Sequence, residues 1–167
     1  MMKSLCLSIL LSAPLAVWAA DATPDSSFYK NAAEAGISEV DAGNLASEKA
    51  TDPKVKDFGA MMVKDHSAAN AKLKAIATSK GVDLPDGPSL MQKAKNEKTD
   101  LKSGDSFDHD YIKGQIKAHK ETIDLLQKEI SSGQDAEAKA FATATLPKVK
   151  AHLDKISKIA ADAGIQD

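Results

Sequence analysis

Apolar residues recur every three or four positions through four long stretches of this chain, and no stretch alternates with the period of two that a half-buried strand needs. At 100° per residue, the stretch from Pro53 to about Lys80 gathers Val55, Phe58, Met62, Ala69, Leu73 and Ile76 on one face. The stretch from about Ser106 to Ile130 gathers Ile112, Ile116, Ile123, Leu126 and Ile130. That from about Ala136 to Ala163 gathers Phe141, Thr145, Val149, Ile156 and Ile159. The punctuation agrees. "TDP" (Thr51 to Pro53) ends a first helix running from about Ser26 to Ala50, and Pro53 suits the first turn of the second. "GVDLPDGP" (Gly81 to Pro88) is a loop, and a short amphipathic piece follows with Leu90, Ala94 and Leu101 on one side. "SGDS" and "SSGQD" supply the remaining breaks. The expected fold is all-α: an antiparallel four-helix bundle of helices about 40 Å long, with a short connector helix between helices two and three.

Three helices repeat one phrase. "MVKDH" ends at His66, "QIKAH" at His119 and "KVKAH" at His152. In each, helical phase turns the aliphatic residue inward, the lysine outward and the histidine inward, onto the apolar stripe. The valines, isoleucine and lysines thus report periodicity alone, and the histidines are the informative letters.

Helix one differs. Glu34, Asp41 and Glu48 line its charged side at heptad spacing. Its opposite side starts with Tyr29 and continues with Ala32, Ala33, Gly36, Val40, Gly43 and Ala46, residues mostly small enough to admit a neighbouring backbone closely. Glu39 is the one charge on that side, and a buried carboxylate has to be paired, protonated or bound to a cation. Counting residues from the turns places Glu39 and His66 within roughly a helical turn of each other in height, with a looser match for His119 and His152. One carboxylate and three imidazoles are therefore expected near mid-bundle, one from each helix.

The N-terminus changes the count of what folds. "MMKSLCLSILLSAPLAVWAA" has an early cation (Lys3), an apolar run from Leu5 to Leu11, Pro14, and small residues placed for signal peptidase, with cleavage expected after Ala19. It is too short for a membrane anchor, and Cys6 lies too early for a lipoprotein. Its removal takes the chain's one cysteine, excluding disulfide and thiol chemistry, and leaves about 148 residues, enough for one domain over 20–167. No second apolar run approaches membrane-spanning length. The expected product is exported, to a periplasm or to the outer membrane as a peripheral protein.

Charge excludes one partner class. The chain has 22 basic residues, every one a lysine, against 24 acidic residues. Without arginine forks or a basic cluster, nucleic acid is not an expected partner. No glycine-rich phosphate loop and no Ser/His/Asp or Cys/His set is present, so the pattern does not point to an enzyme.

The stretches "NAAEAGISEVDAGNLASEKATDPKVKDFGAMMVKDHSAANAKLKAIATSKGVDLP", "FDHDYIKGQIKAHKETIDLLQKEISSGQD" and "LPKVKAHL" resemble an exported bacterial family of unknown function within the ferritin-like superfamily, whose members often carry the label outer membrane protein. The resemblance covers nearly the whole mature chain. It implies a ferritin-like bundle and an envelope location, and no established activity. The di-iron centre of the wider superfamily is not expected, because it needs Glu-x-x-His on two helices. Val63, Ile116 and Val149 stand where those glutamates would be.

Two readings of the mid-bundle set stay open. Glu39, His66, His119 and His152 could hold a single zinc or copper ion, with Met62 as an added soft ligand and Asp65 orienting a histidine. Alternatively the four form a structural polar layer in a non-catalytic envelope interaction or stress protein, Glu39 pairing with an imidazole to set helix register. Pro147 is expected to kink helix four one turn before His152. His109 is expected at the surface, Asp108 at a helix start, and Tyr111 in packing.

Overall fold

The computed structural model describes residues 23–166; the expected signal segment, residues 1–19, lies outside them. Those described residues form helices α1 (Ser26–Lys49), α2 (Pro53–Ser79), α3 (Leu90–Asp100), α4 (Gly104–Ser132) and α5 (Ala136–Asp162), with no strand among them. The fold is all-α. Four long helices form the bundle, and α3 is the short connector.

Local chemistry sets the helix ends. Asp52 caps α2 by accepting from the Lys54 amide at 2.7 Å, with Pro53 at the first helical position, where its missing N–H costs nothing. Asp135 caps α5, accepting from the Glu137 and Ala138 amides. Gly81 and Gly164 follow the last turns of α2 and α5 at φ 68° and 69°. There the next residue's amide returns to the helix, Val82 to the Ala77 carbonyl and Ile165 to the Ala160 carbonyl, each at 2.9 Å.

The two hairpins, α1–α2 and α4–α5, are closed by tight turns, and each turn is held by a carboxylate from the other hairpin. Asp108 of α4 accepts from the Thr51 and Asp52 amides in the α1–α2 turn, at 3.1 and 2.8 Å. Asp25, just ahead of α1, accepts from the Gln134 and Asp135 amides of the α4–α5 turn, both at 2.6 Å. Asp108 therefore serves a neighbouring turn and not its own helix start. These contacts put the start of α4 beside the end of α1. In chain order the long helices run up, down, down and up, and the loop with α3 carries the chain back along the bundle between α2 and α4.

Small residues bring α1 and α2 together. A Cβ on Gly43 would lie 2.8 Å from the Gly59 carbonyl oxygen, and one on Gly59 would lie 2.7 Å from that of Gly43. Only glycine allows this separation. The core divides into two apolar clusters. The upper one contains Val55, Phe58, Met62, Phe107, Ile112 and Ile156. The lower one contains Phe28, Tyr29, Leu73, Leu126 and Val149.

None of the residues of α3 is buried, and Leu90 and Leu101, expected with Ala94 on one apolar side, are each 88 % exposed. Within its eleven residues α3 carries only Leu90, Met91 and Ala94 as apolar side chains, all in its first half, too few for a continuous stripe to bury. The third long helix also starts at Gly104 and ends at Ser132, slightly longer at both ends than its apolar pattern, because polar residues can extend a helix without a packing partner. Pro147 lies inside α5, which continues through it.

Candidate metal centre

The three inward histidines come from α2, α4 and α5 and meet in the polar layer between the two apolar clusters. His66, His119 and His152 are 8 %, 1 % and 4 % exposed. Their ring centroids form a triangle of 5.5, 5.7 and 6.1 Å, and one ring nitrogen from each lies within 4.8 Å of the others. Phe58 packs against two of the rings, with centroids 6.2 Å from His119 and 6.5 Å from His152.

Two of the rings are oriented from behind. His119 Nδ1 lies 2.8 Å from the Gln115 carbonyl oxygen one turn earlier, so Nδ1 carries the proton and Nε2 keeps its lone pair. His152 Nε2 lies 3.0 Å from Asp65 Oδ2, which leaves Nδ1 as the free atom. Lys148 stands 3.4 Å from the other Asp65 oxygen. His66 Nε2, His119 Nε2 and His152 Nδ1 are all buried without a hydrogen-bond partner. Three orphaned nitrogens in one layer are costly unless something accepts their lone pairs.

The electrostatics match. Burial, with repulsion from the neighbouring rings, lowers His66 to about 3. Burial lowers His119 to about 4, against the opposing carbonyl contact from Gln115. His152 is also lowered by burial, with the Asp65 carboxylate pulling the other way. Burial pushes Asp65 upward, but hydrogen bonds from His152 and Lys148 outweigh it and leave the carboxyl below its ordinary range. All three imidazoles are thus neutral at pH 7, the form that binds a metal.

Of the four expected ligands, the structure groups three; Glu39 falls outside that 4.8 Å set. It is buried, at 5 % exposure, beside the Gln115 side chain. Burial raises its carboxyl to about 7, with the Gln115 contact opposing. Glu39 instead lines a cavity between α1 and α4, a placement about the bundle axis that residue counting, which carries no azimuth, does not give. Met62 sits in the upper apolar cluster, fully buried, one turn before His66. His109 is exposed, beside Asp110, and Tyr111 packs between Phe58 and Phe107.

Gln115 is the functional residue that periodicity does not reveal. It opens the phrase "QIKAH", and its backbone holds His119 while its side chain lines the same cavity as Glu39. The spacing of four is the available signal, since a helical histidine can bond the carbonyl one turn back.

The model of the family described as Domain of unknown function (DUF4142) matches residues 12–159. The chain belongs to that family. Its fold is similar to that of a Streptomyces coelicolor protein described as "putative secreted protein DUF305", at a TM-score of 0.73 and 10 % identity, over 86 % of this chain and 95 % of that one. It is also similar to a conserved hypothetical protein from Mycobacterium tuberculosis, at a TM-score of 0.64 and 13 % identity, over 82 % and 90 %. At these identities the likeness concerns the fold. No curated protein matches the chain. No helix among the described residues is long and apolar enough to cross a membrane.

Proposed function

We propose that this DUF4142 protein is an exported binder of a single transition-metal ion, held by His66, His119 and His152. The observation that carries the reading is the set of three buried, unpartnered ring nitrogens, two of them oriented by a second contact on the same ring. Histidine ligands are generally oriented this way, by a carbonyl or carboxylate on the far nitrogen. Three neutral imidazoles with no thiolate and no carboxylate among them suit zinc or copper. A di-iron centre finds no support, because Val63, Ile116 and Val149 occupy the positions of its glutamates.

Export rests on the signal-like N-terminus and is compatible with the secreted description of the Streptomyces neighbour. The up-down-down-up order with one long crossover is the connectivity of ferritin-like bundles, which supports that membership. The periplasm is the natural compartment for such a protein.

The test is metal content and titration of protein purified without a histidine tag. One equivalent of zinc or copper should bind and raise the melting temperature by mass action. Replacing all three histidines by leucine should remove that equivalent while the helical spectrum persists. Metal that stays substoichiometric, or that is indifferent to the triple replacement, would leave the histidines as a structural polar layer.

A further inference from the structure

The buried carboxyl that the histidines leave aside has surroundings of its own. Glu39, Tyr111 and Gln115 line a cavity of about 120 Å³ between α1 and α4, with Gln92 and Asn96 of α3 lying over it. The three are 5 %, 4 % and 4 % exposed, and each keeps one buried atom without a partner: Glu39 Oε2, the Tyr111 hydroxyl and Gln115 Oε1.

The chemistry of those atoms narrows the occupant. The unpartnered Gln115 atom is its amide carbonyl oxygen, an obligate acceptor. The ionised carboxylate oxygen is another acceptor, and the phenol oxygen can act as a third. Water can donate to both obligate acceptors, Glu39 Oε2 and Gln115 Oε1, but it brings no charge and so leaves the ionised carboxylate uncompensated. An alkylammonium has three N–H donors and one positive charge. Phe107 and Tyr111 also line the cavity and give it aromatic surface.

We propose that the cavity beneath α3 binds a small organic cation by its primary ammonium group, with Glu39, Gln115 and Tyr111 each accepting one N–H. The alkyl part lies against Ala42, Leu45 and Phe107. The way in is past α3, which buries none of its residues and so gives up little packing when it moves aside. This site shares α4 with the histidine cluster but uses none of its ligand atoms, so it stands whether or not the histidines hold metal.

The experiment is isothermal titration of the purified protein at pH 8, with n-butylammonium chloride, 1-butanol and potassium chloride as probes, run with and without a metal chelator. The expected result is saturable one-to-one binding of n-butylammonium and none of 1-butanol. Glu39→Gln should weaken it by at least about tenfold, the size of a lost charged hydrogen bond, with metal uptake unchanged. Tyr111→Phe should weaken it a few-fold, and it carries the test if Glu39→Gln fails to fold. Absence of saturable n-butylammonium binding overturns the proposal, as does undiminished affinity in a folded Glu39→Gln protein or in Tyr111→Phe. Equal competition by 1-butanol or potassium overturns it as well.

Discussion

The histidine cluster and the Glu39 cavity lie one helical turn apart along α4, and burial acts on them in opposite directions. In the cluster it strips protons, lowering His66 to about 3 and His119 to about 4, so the rings are neutral because they are bare. In the cavity it retains a proton, raising Glu39 to about 7, so the carboxyl is neutral while it is protonated. The physical cause is one, the cost of charge in a low-dielectric interior. The outcomes differ because an imidazole deprotonates to a lone pair that a metal can use, whereas a carboxyl must ionise before it can attract a cation. Gln115 joins the two, its carbonyl facing one and its side chain the other.

The largest expected effect removes one side of the comparison. His119→Ala takes away a nitrogen donor and should weaken metal binding by more than about 100-fold, beyond what loss of an orienting partner costs, as read by competition with a chromogenic chelator. The binding of n-butylammonium should be untouched. If both are lost together, the two regions are one site.

Acid should act next. For the histidines the folded pKa is depressed, so their contribution is fully present above the unfolded value near 6.5 and is lost as pH falls through the folded values of about 4 and 3. Unfolding free energy of metal-free protein should fall on the order of 3 kcal/mol from His66 between pH 7 and 4. Denaturant melts across that range check this, and replacement of the three histidines by leucine should flatten the curve.

Asp65→Ala should weaken metal binding by about 10- to 100-fold, because His152 loses the carboxylate that holds its Nε2. An unchanged affinity would mean that His152 needs no orienting partner.

The smallest effect comes from the other region. Glu39 has a raised folded pKa, so the folded protein holds a proton that the unfolded chain releases above about 4.5, and stability is lost as pH rises towards about 7. Glu39→Gln should therefore stabilise the ligand-free protein at pH 8 and leave it nearly unchanged at pH 4.5. A thermal melt at the two values separates this from a general packing effect.

The legibility of this molecule divides along physical lines. Helical periodicity is a one-dimensional signal, and it gave the four long helices, the inward phase of His66, His119 and His152, and the exposed lysine of each repeated phrase. Punctuation by Pro53, Gly81 and the "SSGQD" turn set the hairpins. The small-residue side of α1 gave a close approach, which Gly43 and Gly59 realise. Where apolar residues were few, as in Leu90, Ala94 and Leu101, periodicity gave an apolar side that the tertiary structure leaves exposed.

What the sequence alone determined is therefore which residues turn inward and roughly at what height, because phase and rise follow from helix geometry. What only the tertiary structure decided is who meets whom around the bundle axis. The rotation of each helix about that axis is set by packing, by Phe58 against two histidines and by Gly43 against Gly59, and it leaves no mark on residue spacing. That rotation separated Glu39 from the three histidines, gave Asp65 to His152, and made Gln115 the bridge between a cluster of bare nitrogens and a buried acid.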